Sequence, residues 1–212
     1  MSGEKIEAVL FDYGGVFTAS PFEAVEEVGR EMGARPGQAM EIIFGPYDRD
    51  TDHPWHKLER GELSLEETRQ AILLLGKDHG LETDIFHFLA AMGSGTGIRE
   101  AFVQLVRDLR AAGFKTGIVT NNVVEFREHW KRTMPIEELF DSVVDSSEVG
   151  LRKPDPAIYR HALEDIGVPA ERTLFLDDFE GNIEAARSTG MHAILVGADF
   201  HRAIDEVRDL LA

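Results

Sequence analysis

The chain has 212 residues, 43% of them hydrophobic and 29% charged, which is room for one α/β domain carrying an insertion, or for two small domains, around a sizeable core. Its 22 Lys and Arg against 39 Asp and Glu give a formal charge of -17, which argues against nucleic acid and anionic membranes as partners and admits an anionic small substrate only where a metal or a focused cation reverses the local sign. The absence of cysteine excludes disulfides, thiolate metal sites and thiol nucleophiles. No apolar leader opens MSGEKIEAVL and no run approaches the ~18 apolar residues a bilayer span needs, so a cytoplasmic location is expected.

The first apolar run, AVLFD, predicts a buried strand that delivers Asp12 into a turn at Gly14 and Gly15. A carboxylate at the C-terminal end of a central strand is costly to desolvate, so it is expected to cap a helix, bind a metal or attack a substrate. From about Ser20 to Gly97 the patterns are helical and no convincing strand occurs, which predicts an inserted helical unit packing as its own small bundle. Within it, Gly61 marks a helix stop, Ser64 with Glu67 makes a capping box, and Trp55 and Leu58 are expected in the core. GSGTG, Gly93 to Gly97, suits a hinge; no strand precedes it and no Lys follows it, as a phosphate loop would need.

Beyond the insertion, GIREAFVQLVRDLRAAG places Ile98, Phe102, Leu105, Val106 and Leu109 on one helix face and stops at Gly113. The runs KTGIVTN, DSVVDSS, TLFLDD and HAILVG then alternate with helical patterns, among them DPAIYRHALEDIG, which stops at Gly167. Alternating strands and helices predict an α/β fold, a Rossmann-like parallel sheet of at least five strands covered on both faces. The expected division is a core of residues 1–19 and 98–212 with a helical unit, 20–97, inserted after the first strand.

Ligands of open α/β sheets bind beyond the carboxyl ends of the strands, so the residues there belong together. They are Asp12, then Thr120 and Asn121, then Lys153, then Asp177 and Asp178. Taken singly, Thr120 and Asn121 suit a helix cap, Lys153 a solvated loop charge, and Asp177 with Asp178 an acidic helix start. Taken together they supply a carboxylate nucleophile, hydroxyl and amide donors, a cation, and an acidic pair suited to a hard divalent ion.

This set, in this order and with a helical insertion after the first strand, resembles the haloacid dehalogenase superfamily, most of whose members are Mg²⁺-dependent phosphatases. The resemblance spans nearly the whole chain and is carried by VLFDYGGVF, GIVTNN, VGLRKPDPAIY and LFLDDFEGNIEAARSTGM. The later segments look like the phosphatase domain of soluble epoxide hydrolases, and FDYGGVFTASPF like related bacterial phosphatases. It implies that the 20–97 unit is a cap and that Asp12 attacks phosphorus to form an aspartyl phosphate on a small phosphorylated metabolite. It implies Mg²⁺ held by Asp12, the Gly14 carbonyl and Asp178, with Asp177 orienting a metal-bound water or Lys153. Thr120 and the Asn121 backbone N–H would bind phosphate oxygens, and Lys153 would steady nucleophile and transferring group. Asn182 would orient the acidic loop, although it equally suits an ordinary polar position early in a helix.

Phosphatases of this superfamily usually carry a second Asp two residues after the nucleophile, as acid and base; here that position is Gly14. Its backbone carbonyl survives the change, but the proton-transfer group does not, and such groups contribute about 10²- to 10⁴-fold. His53, His56 and Glu59 of the insertion are the candidates to replace it, against the plainer expectation that they pack or lie on the surface of the cap. Two other functions compete: a binding or regulatory module that kept the fold and lost turnover, and a haloacid dehalogenase, against which the Asp177-Asp178 pair argues because those relatives use no Mg²⁺.

Overall fold

A computed structural model describes residues 5–93 and 97–211; Ser94–Thr96, within the expected hinge, lie outside the described residues. The chain opens with β1 (Ala8–Phe11) and then runs through α1 (Pro21–Glu31), α2 (Gln38–Ile43), α3 (Pro54–Glu59), α4 (Leu65–Asp78) and α5 (Ile85–Gly93). It returns through α6 (Glu100–Ala111), β2 (Lys115–Thr120), α7 (Arg127–Trp130), α8 (Ile136–Leu139), β3 (Ser142–Asp145), α9 (Ser146–Val149) and α10 (Pro156–Ile166). β4 (Thr173–Asp177), α11 (Glu180–Ser188), β5 (His192–Leu195) and α12 (Phe200–Leu211) complete it. All five expected strands are present.

The strands form one parallel sheet in the order β3-β2-β1-β4-β5. β1 lies at its centre because its residues are apolar on both faces: Val9 and Phe11 pack with Phe102, Leu105 and Ile204, while Ala8 and Leu10 pack with Ile158, Tyr159 and Ile183. The face predicted for α6 is the buried one, with Phe102, Leu105, Val106 and Leu109 inside. In α10 the Asp155 side chain accepts the Ala157 N–H, Pro156 sits in the first turn, and Gly167 closes the helix in the left-handed region at φ 65°.

Between β1 and β2 no strand occurs among the described residues. The capping box of Ser64 and Glu67 opens α4, and α3 ends just before Gly61, whose φ of 70° suits a helix stop. The helices α1–α5 bury a separate apolar cluster that includes Val25, Ile43, Phe44, Trp55, Leu58 and Phe88. Burying side chains of this size contributes about 1.5–3 kcal/mol each to the packing of these helices. Among the described residues, no helix is long and apolar enough to cross a membrane.

Candidate active site

β1 and β4 are neighbours, with Phe11 paired to Leu176, so the residues that follow, Asp12 and Asp177, leave the sheet side by side. Asp12, Asp177 and Asp178 each place a carboxylate oxygen within 4.8 Å of the others. The turn after Asp12 is closed by the Phe17 N–H donating to the Tyr13 carbonyl at 2.9 Å. Tyr13 points elsewhere, its hydroxyl 2.9 Å from Thr133 Oγ1 and its ring against Trp130.

Lys153 enters this cluster as a buried cation. Its Nζ lies 2.8 Å from Asp12 Oδ1 and 2.6 Å from Asp177 Oδ2. Asp177 is wholly buried and saturated: Asn182 Nδ2 donates to both of its oxygens at 3.0 Å, and the Phe179 N–H donates to Oδ1 at 2.8 Å. Asp12 Oδ1 accepts the Tyr13 N–H at 2.7 Å as well as Lys153, whereas Oδ2 has no hydrogen-bond partner among the described residues. One oxygen of Asp12 is thus fixed and the other is available.

Three acids and one cation leave the site short of positive charge. Burial, reinforced by the Asp177 and Asp178 charges and only partly offset by Lys153, pushes Asp12 up to about 8. Burial and Asp177 likewise push Asp178 up to about 6. For Lys153 burial pulls the other way, but Asp12 and Asp177 outweigh it and hold the amine above its ordinary value. A hard divalent cation among these oxygens would remove the imbalance, and oxygen is the donor such ions prefer. The donor set fits the group.

Thr120 ends β2, the strand on the other side of β1, and is buried, its hydroxyl held among the described residues only by a 3.5 Å contact to the Asn121 carbonyl. The Asn121 side chain is committed to Lys153: Oδ1 accepts the Lys153 N–H at 2.8 Å and Nδ2 donates to the Lys153 carbonyl at 3.0 Å. That role for the amide was not foreseen from sequence, where only its backbone was considered. Nor was Arg152, wholly buried beside Lys153 with Nε 2.7 Å from Glu59 Oε2. A basic residue in a loop gives no sign of which distant helix will cover it.

The three candidates for a replacement acid are all engaged in packing. Glu59 accepts from Trp55 Nε1, Tyr47 Oη, Arg152 Nε and Asn121 Nδ2. His53 caps α3 by accepting the Trp55 N–H, and His56 accepts the Thr51 N–H on Nδ1. Burial holds His56 down at about 3 and His53 at about 4, so both are neutral at pH 7. The helical unit meets the site through Phe22 and Tyr47, which pack on Phe179 at 5.5 and 5.2 Å.

A family model for haloacid dehalogenase-like hydrolases matches residues 6–190. The chain is 28% identical over 210 residues to phosphatase MT3486 of Mycobacterium tuberculosis, covering 97% of this chain and 94% of that one. It is 26% identical over 218 residues to mouse bifunctional epoxide hydrolase 2, covering 97% of this chain and 38% of that protein. The mammalian relatives it matches are thus longer proteins, of which the chain spans well under half the length. In structure it resembles an enzyme of the same family from Bacteroides thetaiotaomicron, solved with magnesium and inorganic phosphate, with a TM-score of 0.61 and 24% identity over 90% of this chain and 93% of that one. At that identity the likeness is one of fold. The sheet order, the strand-end acids and a family match spanning most of the chain lead to one assignment: this chain belongs to the haloacid dehalogenase-like hydrolase family.

Proposed function

We propose that the chain is a Mg²⁺-dependent phosphatase that hydrolyses small phosphomonoesters through an aspartyl-phosphate intermediate, with residues 20–97 acting as a cap over the site. The observation that carries this is the pairing of Asp12 with Lys153 inside a cluster of three carboxylates. A Mycobacterium tuberculosis relative of nearly the same length is a phosphatase, which supports the substrate class.

Asp12, the Gly14 carbonyl and Asp178 would hold Mg²⁺, which when bound supplies positive charge against both Asp12 and a phosphate oxygen. The remaining roles fall to the chain's own groups. Asp12 attacks phosphorus as the ester P–O bond breaks and the alcohol leaves, splitting one displacement into two, and water then hydrolyses the acyl phosphate to free Asp12 and inorganic phosphate. Lys153, fixed by Asp177 and Asn121, stays beside the nucleophile and meets the charge on the transferring group. Asp177 positions Lys153, and Asn182 positions Asp177. The Thr120 hydroxyl and the Asn121 backbone N–H bind phosphate oxygens. The cap narrows access and limits the substrates to small ones.

Gly14 favours one second reading, a binding module that lost turnover with its acid. Phosphate release from an aryl phosphate, with and without Mg²⁺ and beside Asp12→Asn, separates the two. Mg²⁺-dependent release that Asp12→Asn abolishes establishes the phosphatase, and no Asp12-dependent release over sugar, nucleotide, lipid and acyl phosphates rejects it.

A further inference from the structure

Arg152 is fully buried beside the site lysine, yet the charge that balances it comes from the helical insertion. Its Nε lies 2.7 Å from Glu59 Oε2, its Nη1 lies 3.6 Å from Asp50 Oδ1, and its guanidinium carbon sits 5.0 Å from the centre of the Tyr47 ring. Its Nη2 is buried without a partner among the described residues, so the cation depends on these few contacts. Glu59 Oε2 also accepts from Asn121 Nδ2 at 3.4 Å, and the Glu59 backbone carbonyl accepts from Ser146 Oγ at 2.6 Å. Ser146 Oγ in turn accepts the Asn122 N–H at 2.9 Å. One residue of the insertion therefore touches both segments that grip Lys153: Arg152, covalently joined to it, and Asn121, hydrogen-bonded to its N–H and its carbonyl.

We propose that Glu59 is a positioning residue that couples seating of the helical insertion to placement of Lys153, holding Arg152 and Asn121 so that the Lys153 amine reaches Asp12 only when the insertion is down. The role of Lys153 in catalysis rests on the phosphatase reading; the coupling itself does not. The physical reason is asymmetry. A buried guanidinium that loses its carboxylate is strongly disfavoured, so with the insertion lifted the Arg152 segment must move toward water, and Lys153 moves with it. With the insertion seated, the ion pair, the amide clamp and the Ser146 contact fix the segment from both sides. An enzyme built this way keeps its lysine off the nucleophile until the site is closed to bulk water.

The test uses the full chain and two readouts. The first needs no substrate: hydrogen exchange at the Lys153 amide, whose N–H is bonded to Asn121, compared with amides of β1 and β4. Glu59→Gln removes the charge and keeps the size; it should speed exchange at Lys153 by about tenfold or more and leave the strand amides unchanged. The second is turnover of an aryl phosphate with Mg²⁺. Glu59→Gln should lower kcat by about 10- to 100-fold with KM changed less than about threefold, the mark of misplacement rather than lost binding. Arg152→Gln should match it, and Glu59→Gln with Arg152→Gln should recover part of either loss, because no uncompensated charge remains. Arg69→Gln, which breaks a half-buried pair with Asp84 in the same insertion, away from Glu59 and Lys153, serves as the control that changes neither readout.

Unchanged Lys153 exchange in Glu59→Gln, or losses in the double variant equal to the product of the singles, overturns the proposal and leaves Glu59 a packing residue. Should Glu59→Gln not fold, Glu59→Asp, which keeps the charge and shortens the reach by one methylene, takes its place for the Lys153 exchange and kcat readouts, with the same direction expected and no rescue by Arg152→Gln, because its carboxylate would then be left unpaired. If the wild-type chain shows no Asp12-dependent phosphate release, it is the phosphatase reading that fails, and the exchange measurement still decides the coupling.

Discussion

A β-carbon placed on Gly15 would lie 2.0 Å from the carboxylate carbon of Asp178, so the turn after Asp12 and the acid after β4 share their space only because residue 15 has no side chain. Gly15 also has φ 75°, in the left-handed region. Gly15→Ala should cost about 1–3 kcal/mol in backbone strain and displace the Asp178 carboxylate besides. Gly80, at φ 72° with nothing within 4 Å of its would-be β-carbon, isolates the strain alone. Urea unfolding should show Gly15→Ala to be the less stable variant. Mg²⁺ titration of activity should be weakened by Gly15→Ala and not by Gly80→Ala; equal behaviour of the two would mean that the crowding at Asp178 is relieved without consequence.

The charge imbalance of the acid cluster predicts a pH dependence of the metal-free chain. Asp12 and Asp178 are both raised from 3.8, to about 8 and about 6. Between about pH 4 and about pH 8 the folded chain therefore holds protons that the unfolded chain has released, and stability falls as pH rises through that window. Metal-free wild type should lose Tm over this range more steeply than Asp12→Asn. Because Mg²⁺ favours the ionised acids, its stabilising shift should grow with pH; a shift independent of pH would place the ion away from Asp12 and Asp178.

The sheet was legible because its signal is local: each strand is an apolar run bounded by turn residues, and alternation with helices leaves little topological choice. The strand-end acids were legible for the same reason, since position at the end of a strand is itself a sequence feature. What sequence left open was every relationship made across distance. That Asn121 would spend its side chain on Lys153, and that Glu59 would lie against Arg152, follow from how the insertion seats on the sheet. His56 illustrates the limit well: it could equally have been exposed or buried on its helix, and the structure shows it wholly buried, with the Tyr47 and His53 rings packed against it.

The buried His56 and the half-buried His53 of the insertion predict an acid limb of opposite sign. Burial lowers His53 to about 4 and His56 to about 3, and Arg152 adds to both. Arg60 also disfavours a charged His56, while the Asp50 carboxylate, 3.7 Å from its Nδ1, is placed to favour it. Below the ordinary value of 6.5 the unfolded chain binds protons that the folded insertion refuses, so this contribution is lost as pH falls toward about 4. His56→Gln should therefore show a smaller loss of Tm than wild type between pH 7 and about pH 4.5, measured by thermal melts. Parallel curves would mean that His56 protonates without disturbing its surroundings.

The last prediction concerns the proton that Gly14 cannot supply. A leaving oxygen of low pKa departs as an anion, whereas an alkoxide needs protonation in the transition state, so a site without a general acid should penalise alkyl phosphates far more than activated ones. The groups of the insertion that could replace the acid are engaged elsewhere: Glu59 accepts four hydrogen bonds, and His53 and His56 are held neutral by burial. Aryl, acyl and anomeric sugar phosphates should accordingly be turned over in preference to phosphates of primary alcohols. Plotted against leaving-group pKa, log kcat/KM should fall steeply, and His56→Gln should not change the slope. Gly14→Asp, which restores a carboxyl at the family's usual position, should flatten it by raising the alkyl esters alone, within the roughly 10²- to 10⁴-fold that proton transfer contributes. A flat plot for the wild-type chain would show that water or the substrate itself delivers the proton, and a slope that steepened on His56→Gln would make that histidine the donor despite its burial.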